Sequence, residues 1–517
     1  MDLAEAVLQL HPSDPVALAR RELEPGTELE GHGRGVTVRD TVPHGHKLAL
    51  TDIAEGEQVH KYGQPIGVAT QAIAAGEHVH EHNLSSLSRE GLPVPAQSEE
   101  GVAAQRTGRR GPAPSPDAPT FDGIVRPDGR VGTRNYVALV SSVNCSATVV
   151  KRIAAAFSAP GALDEHPGVD GVIAVTHGSG CGLSRDGEGF EILRRTLTGY
   201  ARHPNVAAVV VVGLGCEVNQ VSALADSFEL PDATPLRRLV IQELGGSVAT
   251  VRRGVELVNE LLPEAAVPRQ PVPVSKLTLG LNCGGSDGWS GVTANPVLGA
   301  AVDRLVSFGG TAILGETPEI HGAEHLLTSR ASPEVARALM ERIEWWERYT
   351  AAEEGHMDNN PSPGNRAGGV TTIEEKSLGA VAKGGSSTLW AVYKYAEPVT
   401  ASGLVFMDTP GYDPVSVTGI VAGGANLVCF TTGRGSVFGC KPAPSVKLAT
   451  TTQLYERMPD DMDFNAGTVL DGDTTVDELG GVLFDELRAV ASGRQTKSEE
   501  LGFGDEEFRP WQLGAVM

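Results

Sequence analysis

The chain has 517 residues, a hydrophobic content of 40% and a formal net charge of -23. This composition is that of an ordinary globular protein with enough chain for several domains. The excess of acid argues against a nucleic-acid partner, because phosphate binding needs basic patches. No apolar stretch has membrane-spanning length, and the N-terminus lacks the basic-then-apolar pattern of a signal peptide. We therefore expect a cytoplasmic protein that has no membrane or nucleic-acid partner.

Short β-strand patterns with glycine turns occupy the first part of the chain. Runs such as GVTVRDTV, HKLALTDI and PIGVATQAI are separated by glycines, and no long helical period interrupts them. We predict a small all-β domain over residues 1–92. The next stretch is rich in Pro, Gly, Ala and charge and has no hydrophobic periodicity, which predicts a flexible linker over residues 93–120.

From residue 121 the pattern changes to apolar, β-branched runs that alternate with amphipathic stretches. Examples of the runs are YVALVSSV, GVIAVTH and VAAVVVVG, and PEVARALMERIEWWERYT is one of the helical patterns. Such alternation predicts α/β domains with parallel sheets covered on both faces. We divide this region into an α/β domain over 121–270, which carries the loops of Cys145, Cys181 and Cys216, and a catalytic domain over 271–517.

Polar residues and glycines follow these strands directly. They form NCS at 144–146, THGSGCG at 176–182, GLGCE at 213–217, NCGGSD at 282–287, ETPE at 316–319 and TTGRG at 431–435. In open parallel sheets, ligands bind outside the carboxyl ends of the strands. Such residues also serve merely to turn the chain and cap the next helix. Six loops of this character in one chain favour a functional site.

The cysteines do not indicate a disulfide framework or a structural zinc site. Six cysteines in so long a chain are sparse, and none forms a CxxC pair. A buried cysteine after a strand is usually an inert small hydrophobe, and we interpret Cys429 and Cys440 in this way. None of the strand exits is a Walker A loop and no GxGxxG opens a helix in the required context, so nucleotide binding is not indicated.

Histidines are crowded into the predicted all-β domain. His46 and Lys47 precede a run in which His78, His80 and His82 alternate. Alternating residues of one strand share a face, and three imidazoles on one face suit a metal or a carboxylate clamp. A solvated polar face is the competing interpretation.

The motifs, taken together, resemble those of the altronate dehydratase and galactarate dehydratase family of sugar-acid hydro-lyases. They are GRVGTRNY, THGSGCG, GLGCE, CGGSDGWSGVTANP, ETPEIHGAEHLL, NPSPGNRAGG, EEKSLGAVAKGG and TTGRG, in that order. The segment PHGHKLALTDIAEGEQVHKYGQPIG with IAAGEHVHEHN resembles the SAF (β-clip) domain of that family. The resemblance covers nearly the whole chain.

The resemblance implies a small all-β SAF domain tethered to a parallel-sheet, Rossmann-like α/β catalytic body. It also implies dependence on Fe2+, activity under reducing conditions and a homodimer. Mn2+ or another divalent metal is the alternative, and dispersed thiolates would also suit an iron–sulfur cluster. We prefer a mononuclear site because Glu and His residues lie near the cysteines. The HVHEHN segment is nearer to altronate dehydratase, which favours D-altronate over galactarate as the substrate.

Dehydration of a sugar acid requires removal of the C2 proton and loss of the C3 hydroxyl, and a metal stabilises the charge that develops. The expected metal ligands are Cys181, Cys216, Glu217, Cys283 and Glu316, with His46 and His177 as alternatives. The expected catalytic residues are His46, Lys47, His177 and Lys376. The expected substrate contacts are Arg134, Asn135, Ser286, Asp287, Asn365 and Arg434.

Two other functional classes fit part of the pattern. A sugar-acid sensor on the same fold would bind the ligand without turnover. A dehydrogenase-like α/β protein is disfavoured because the dinucleotide fingerprint is missing.

Overall fold

The computed structural model describes residues 1–31, 34–87, 111–184 and 186–514. Residues 93–110 of the predicted linker lie outside the described residues. From Gly111 onward the chain packs on the C-terminal body, where the Ser402 hydroxyl donates to the Pro112 carbonyl. No helix within these ranges is both long and apolar enough to cross a membrane.

The N-terminal domain consists of short strands, as predicted. Its described strands pair antiparallel in three sheets, in the orders β1-β2-β5-β8, β3-β4 and β6-β7-β9. The elements are α1 (Leu3–Ala6), β1 (Val7–Leu8), β2 (Val16–Ala19), β3 (Glu28–Gly31), β4 (Arg34–Thr37), β5 (Lys47–Ala49), β6 (Gln58–Lys61), β7 (Gln64–Ala69), β8 (His78–Val79) and β9 (Leu84–Ser85).

The predicted strand through His82 ends earlier than expected. Strand β8 stops at Val79, and residues 81–83 form a turn. The Asn83 side chain holds this turn, because its Oδ1 accepts from the His80 N–H at 2.9 Å and its Nδ2 donates to the His78 carbonyl at 2.9 Å. The histidines are therefore not presented by one extended strand.

The middle of the chain forms a four-stranded parallel sheet in the order β13-β12-β14-β15. A small antiparallel sheet, β11-β10-β16, is formed by strands that precede and follow this sheet in the sequence. The elements are β10 (Thr120–Val125), β11 (Val131–Gly132), β12 (Tyr136–Ser141), α2 (Ala147–Ala155), β13 (Gly171–Val175), α3 (Glu188–Ala201), β14 (Val206–Gly213), α4 (Val221–Ser227), β15 (Leu236–Val240), α5 (Ser247–Ala265) and β16 (Gln270–Pro273). Helices α2 and α5 pack on one face, and α3 and α4 pack on the other.

The C-terminal domain is built on a seven-stranded parallel sheet in the order β19-β20-β18-β17-β21-β22-β23. Its strands are β17 (Thr278–Cys283), β18 (Thr311–Leu314), β19 (Leu389–Tyr393), β20 (Gly403–Met407), β21 (Leu427–Thr432), β22 (Ser445–Ala449) and β23 (Phe464–Asn465). The apolar runs of the sequence form these buried strands. The structure thus confirms the predicted α/β class with parallel sheets.

The helices of this domain are α6 (Ala294–Ser307), α7 (His325–Thr328), α8 (Pro333–Ala352), α9 (Pro363–Arg366), α10 (Ile373–Val381), α11 (Asp413–Ala422), α12 (Thr452–Arg457), α13 (Thr468–Asp471), α14 (Val476–Ala491) and α15 (Lys497–Glu500). Short 3-10 turns occur at Asn144–Ser146, Val274–Lys276, Thr317–Ile320, Met357–Asn359 and Ala382–Gly384. Helices α6 and α14 pack together on the main core of the seven-stranded sheet.

Arg134, a predicted substrate contact, joins the middle domain to the C-terminal segment instead. Its guanidinium donates to both carboxylate oxygens of Glu499, at 2.6 and 2.8 Å. It also donates to the backbone carbonyls of Thr133, Val490 and Arg494. A guanidinium has five N–H donors, so these bonds leave none for a substrate.

We predict that Arg134→Ala destabilises the protein by about 3–5 kcal/mol, because it leaves the Glu499 carboxylate in a largely buried site without its partner. The matched control is Arg130→Ala, since the Arg130–Asp128 pair is about one-third exposed and such pairs contribute about 0–1 kcal/mol. Urea unfolding followed by circular dichroism measures both. Equal losses of stability in the two variants would contradict the structural role.

Candidate active site

Five ionisable side chains converge at the carboxyl edge of the seven-stranded sheet. We call Cys283, Glu316, Glu319, Lys376 and Lys383 the acid–lysine cluster. Cys283 ends β17, and the two glutamates follow the neighbouring strand β18. The lysines come from helix α10 and the 3-10 turn after it. All five side chains are buried.

The inner part of the cluster is a contact between one thiol, one carboxylate and one ammonium. Lys383 Nζ donates to Cys283 Sγ at 2.9 Å and also to the Glu316 carboxylate. The backbone N–H of Cys283 donates to the same carboxylate oxygen at 3.2 Å. The Cys283 thiol approaches Glu319 Oε2 at 3.4 Å.

The outer part of the cluster faces a cavity. Lys376 Nζ donates to Glu319 Oε1 and to Asn360 Oδ1, each at 2.8 Å, and Asn360 Nδ2 donates to the same glutamate oxygen at 2.8 Å. The cavity has a volume of about 670 Å³. Cys283, Glu319, Lys376 and Asp413 all line it. It is therefore a pocket in which ionisable groups are presented to a small molecule.

Glu316 is held in an unusual backbone conformation. Its φ of 66° and ψ of 59° place it in the left-handed region. Residues other than glycine adopt this conformation only at a cost in free energy. Its backbone N–H donates to Thr409 Oγ1 at 2.7 Å, which stabilises the bend. Such strain at the end of a strand is common at functional sites, and here it points the carboxylate towards Cys283.

Burial shifts the ionisation of the cluster. It raises the pKa of Glu316 to about 8, although attraction to Lys383 opposes the shift. Burial and repulsion from Glu316 also raise the pKa of the Cys283 thiol well above its usual value. Burial together with repulsion from Glu319 raises the pKa of Asp413 to about 7. Burial lowers the pKa of Lys376, but the combined attraction of Glu319, Cys283 and Glu316 outweighs burial, so the pKa is raised. Lys376 is therefore an ammonium at neutral pH.

Two buried oxygens beside the cluster lack a donor. Within the described part of the chain, Glu316 Oε1 and Asn282 Oδ1 have no hydrogen-bond partner. An unsatisfied buried acceptor costs free energy. The ligand atoms of Cys283, Glu316 and Glu319 also lie within 4.8 Å of one another. These three residues therefore fit a divalent cation, which would satisfy the Glu316 oxygen.

The N-terminal domain docks on helix α10 through a buried ion pair network. Glu375 accepts from Lys47 at 2.8 Å and from Lys61 at 2.9 Å. Lys47 also donates to the Gly369 carbonyl and to Thr371 Oγ1, so all three of its N–H groups are used. Burial lowers the pKa of Lys47 to about 8, against the attraction of Glu375. The attraction of both lysines outweighs burial at Glu375 and lowers its pKa to about 2.

Glycines allow the two backbones to approach at this interface. A Cβ at Gly288 would lie 2.0 Å from the Gly45 carbonyl oxygen, and one at Gly369 would lie 2.4 Å from the same atom. A side chain at either position would force the domains apart. Gly288 of the CGGSDGWSG motif and Gly369 of the GNRAGG motif therefore serve domain docking.

A second group of ligand atoms lies in the N-terminal domain. The rings of His46, His78 and His80, which we call the histidine cluster, have centroids 5.0–5.3 Å apart. Burial and the neighbouring imidazoles lower the pKa of His78 to about 3, and burial with the nearby Lys47 lowers that of His80 to about 3. His82 is exposed. The clustered rings are therefore neutral.

The structure separates the predicted metal ligands into two groups. Cys283 and Glu316 meet in the acid–lysine cluster. Cys181, Cys216 and Glu217 lie in loops of the four-stranded sheet, and in the described ranges none of them belongs to a convergent ligand group. Both cysteines are exposed. The Glu217 carboxylate accepts instead from Ser142 Oγ and from the Gly215 N–H.

His177 and Asn135 form hydrogen bonds within their own domain. His177 Nε2 lies 3.1 Å from the Ser141 carbonyl, its Nδ1 accepts from the Ser179 N–H, and burial lowers its pKa to about 4. Asn135 donates to the Gly168 and Ala265 carbonyls and accepts from Arg126. Asn135 precedes β12 and so lies at the amino end of that strand, opposite the edge where ligands bind.

The remaining predicted substrate contacts lie near the cavity and the domain interface. Asn365 lines the cavity and donates to the Ser286 carbonyl at 3.0 Å. Asp287 accepts from Ser290, Trp289 and Thr450 and is buried. Arg434 is exposed.

Sequence reasoning missed Glu319, Lys383, Asp413 and Asn282 as parts of the site. Glu319 belongs to the ETPE strand exit, and Asn282 directly precedes Cys283, so their positions were visible as signals. Lys383 follows Lys376 by seven residues, which is two helical turns and places both on one side. Asp413 carries no comparable signal, because acidic residues are common in the first turn of a helix and Asp413 is the first residue of α11.

Three families match successive parts of the chain. Residues 5–87 match the Altronate/galactarate dehydratase SAF domain, residues 123–266 match D-galactarate dehydratase/Altronate hydrolase, second domain, and residues 274–516 match D-galactarate/Altronate dehydratase, C-terminal. The N-terminal domain is therefore a SAF domain.

Individual relatives cover nearly the whole chain. It is 37% identical over 506 residues to altronate dehydratase of Bacillus subtilis (strain 168), which covers 96% of this chain and 97% of that protein. It is 36% identical over 502 residues to altronate dehydratase of Escherichia coli (strain K12), with 96% and 97% covered. It is 34% identical over 509 residues to galactarate dehydratase (L-threo-forming) of the same strain, with 96% and 94% covered.

These matches, with a cluster of acids and lysines beside a cavity at the carboxyl edge of a parallel sheet, define an enzyme of the hydro-lyase class. The chain belongs to the altronate/galactarate dehydratase family, which confirms the resemblance drawn from its motifs.

The burial of the six cysteines predicts their reactivity. Cys145, Cys181 and Cys216 are exposed, whereas Cys283, Cys429 and Cys440 are buried. The buried thiols also have raised pKa values because of burial, and only thiolates react readily. We expect a thiol-specific disulfide reagent to modify three cysteines rapidly in the folded protein and all six after unfolding. Rapid modification of Cys283 in the folded protein, located by mass spectrometry, would show that the cluster is open to solvent.

Proposed function

We propose that this enzyme removes water from a sugar acid and forms a 2-keto-3-deoxy sugar acid, with D-altronate as the substrate. Relatives named as altronate and galactarate dehydratases cover nearly the whole chain. The observation that carries the proposal is the acid–lysine cluster beside a cavity of about 670 Å³. That cavity is large enough for a six-carbon acid, since small-ligand pockets span about 300–1,000 Å³.

We propose that Fe2+ is the cofactor and that Cys283, Glu316 and Glu319 hold it. Their ligand atoms converge within 4.8 Å, and Glu316 Oε1 is a buried acceptor that a cation would satisfy. An iron ion bound there would supply a Lewis acid for the negative charge that develops on the substrate carboxylate. Cys181, Cys216 and Glu217 are not part of this proposal because they belong to the other sheet.

The chain's own residues supply binding and proton transfer. The Lys376 ammonium lines the cavity, so we assign it to the substrate carboxylate, whose charge it complements. The Asp413 carboxylate lines the same cavity, and Asn282 Nδ2 orients it through a donated bond of 3.1 Å. We assign it to the transfer of the C2 proton.

The charge of the cavity supports an aldonate over an aldarate. Its described lining residues include the carboxylates of Glu319, Glu353 and Asp413, and Lys376 is the only lysine or arginine among them. An aldarate has a second carboxylate that needs a cationic partner, and a buried charge without a partner is costly. Arg366, a candidate partner, is paired with Glu81 at 2.8 Å. The neutral end of D-altronate fits this lining better.

We further propose a homodimer located in the cytoplasm, with a Rossmann-like catalytic body. Leu244 and Val248 are exposed apolar side chains just beyond β15, the edge strand of the four-stranded sheet. Exposed apolar residues at a sheet edge suit a contact between copies of the chain. Analytical ultracentrifugation with Val248→Glu tests the dimer, since a charge there should dissociate it.

We predict that Lys376→Met lowers kcat/KM by about 10²–10⁴-fold, the range typical of lost acid–base or charge-stabilising groups. Purified enzyme is incubated without air with Fe2+, a thiol and D-altronate, and 2-keto acid formation is measured. Lys441→Met is the control, because Lys441 forms a partly exposed pair with Asp505. The same assay after chelator treatment tests the metal. Full activity of chelated enzyme, or of Lys376→Met, would refute the respective assignment.

We also predict that kcat/KM for D-altronate exceeds that for galactarate by at least tenfold, which corresponds to about 1.4 kcal/mol in transition-state binding. The measurement compares both acids with one preparation of iron-loaded enzyme. Preference for galactarate by the same factor would overturn the substrate assignment and leave the dehydratase reaction in place. Binding of either acid without any turnover would favour the sensor function.

A further inference from the structure

The histidine cluster offers ligand atoms of its own, apart from the acid–lysine cluster. The ring nitrogens of His46, His78 and His80 converge within 4.8 Å of one another, and His46 Nδ1 lies 3.0 Å from His78 Nε2. Two imidazole nitrogens that bind one metal ion at about 2.0–2.1 Å lie about 3–4 Å apart. We propose that these three histidines form a site for a divalent transition-metal ion, separate from the iron site proposed above.

Groups of the C-terminal domain orient two of the three rings. His46 Nε2 lies 3.3 Å from the Ala367 carbonyl oxygen. A carbonyl can only accept, so this bond places the proton on Nε2 and leaves the Nδ1 lone pair facing His78. A hydrogen bond from the outer ring nitrogen to a carbonyl is the usual arrangement of a metal-binding histidine.

His80 is oriented in a similar way. Its Nδ1 lies 3.0 Å from Thr371 Oγ1, and the same hydroxyl accepts from Lys47 Nζ at 2.8 Å. A hydroxyl oxygen has two lone pairs, so it can accept from both groups. When the proton of His80 lies on Nδ1, the ring donates to this hydroxyl and Nε2 is free to bind a metal.

The chemistry of the cluster selects the class of metal. Three neutral imidazoles suit ions such as Zn2+, Fe2+, Co2+ and Cu2+, whereas Ca2+ and Mg2+ take oxygen ligands. Protonated rings do not explain the cluster, because imidazolium ions beside the buried Lys47 ammonium would repel it and one another. His78 and His80 are only partly buried, so the remaining coordination positions open towards solvent.

A metal ion at this site would also support domain docking. All three ligands belong to the SAF domain, while Ala367 and Thr371, which orient them, belong to the C-terminal domain. Rings held by a metal can form both outer hydrogen bonds only when the domains are docked. Metal binding is therefore expected to stabilise the docked arrangement and to raise the melting temperature.

The test uses the full-length protein without a polyhistidine tag, stripped of metal by a chelator. Co2+ is added without air, unbound ion is removed by gel filtration, and bound cobalt is counted by mass spectrometry. We expect His78→Ala/His80→Ala to lose one cobalt per chain relative to the unsubstituted protein. Glu316→Gln/Glu319→Gln should retain that ion, which separates this site from the proposed iron site.

His82→Ala is the matched control. Its ring lies 5.5 Å from the ring of His78 but is exposed and outside the cluster, so this variant should bind the same number of ions. Thr371→Val removes no ligand and should weaken cobalt binding by about 10–100-fold, the usual effect of losing a partner that orients a metal-binding histidine.

Melting temperatures give a second measurement that does not depend on activity. Co2+ should raise the melting temperature of the unsubstituted protein and of His82→Ala by more than it raises that of His78→Ala/His80→Ala, because only the double variant lacks this site. The single variants His78→Ala and His80→Ala replace the double variant if it does not fold. Equal cobalt content in the unsubstituted protein and the folded histidine variants overturns the proposal, as does a cluster that binds no ion.

Discussion

The buried carboxylate of Glu375 is the interaction on which the arrangement of the domains depends. It accepts from two lysines of the SAF domain, Lys47 and Lys61, at a point where all three side chains are almost fully buried. Removing one partner of such a group leaves an uncompensated charge and costs about 3–5 kcal/mol. The SAF domain is therefore not a loosely tethered accessory. Its docking brings Gly45 against Gly288 and Gly369 and places His46 and His80 within reach of the C-terminal domain.

Helix α10 connects this interface to the pocket. Glu375 and Lys376 are consecutive, and consecutive residues of a helix point about 100° apart. Glu375 consequently faces the SAF domain while Lys376 faces Glu319 and the cavity. The charge balance of the two regions follows from this geometry. At the interface, the Glu375 carboxylate is shared by two lysines. In the acid–lysine cluster, two lysines balance two carboxylates and a thiol. A shift of α10 would therefore change the contacts of both regions.

Much of this molecule could be predicted from local patterns. The apolar runs became the strands, the motif order indicated the family, and the polar strand exits identified Cys283 and Glu316 among the candidates. The predictions failed where distant segments decide the outcome. The guanidinium of Arg134 suits contact with an anionic substrate. It is instead bonded to Glu499, which is 365 residues further along the chain. The alternation of His78, His80 and His82 suggested one strand, but the Asn83 side chain ends that strand with a turn.

The sequence by itself determined the family, the α/β class and the identity of the loops that carry polar groups, because these depend on periodicity and on residues close in the chain. Only the tertiary structure decided which loops meet. Strand β17 lies between β18 and β21, so Cys283 meets Glu316 and Glu319, and Lys383 reaches it from 100 residues away. Cys181 and Cys216 have equally suggestive local sequences, but they leave a different sheet. Strand order arises from packing between distant segments, and no local pattern encodes it.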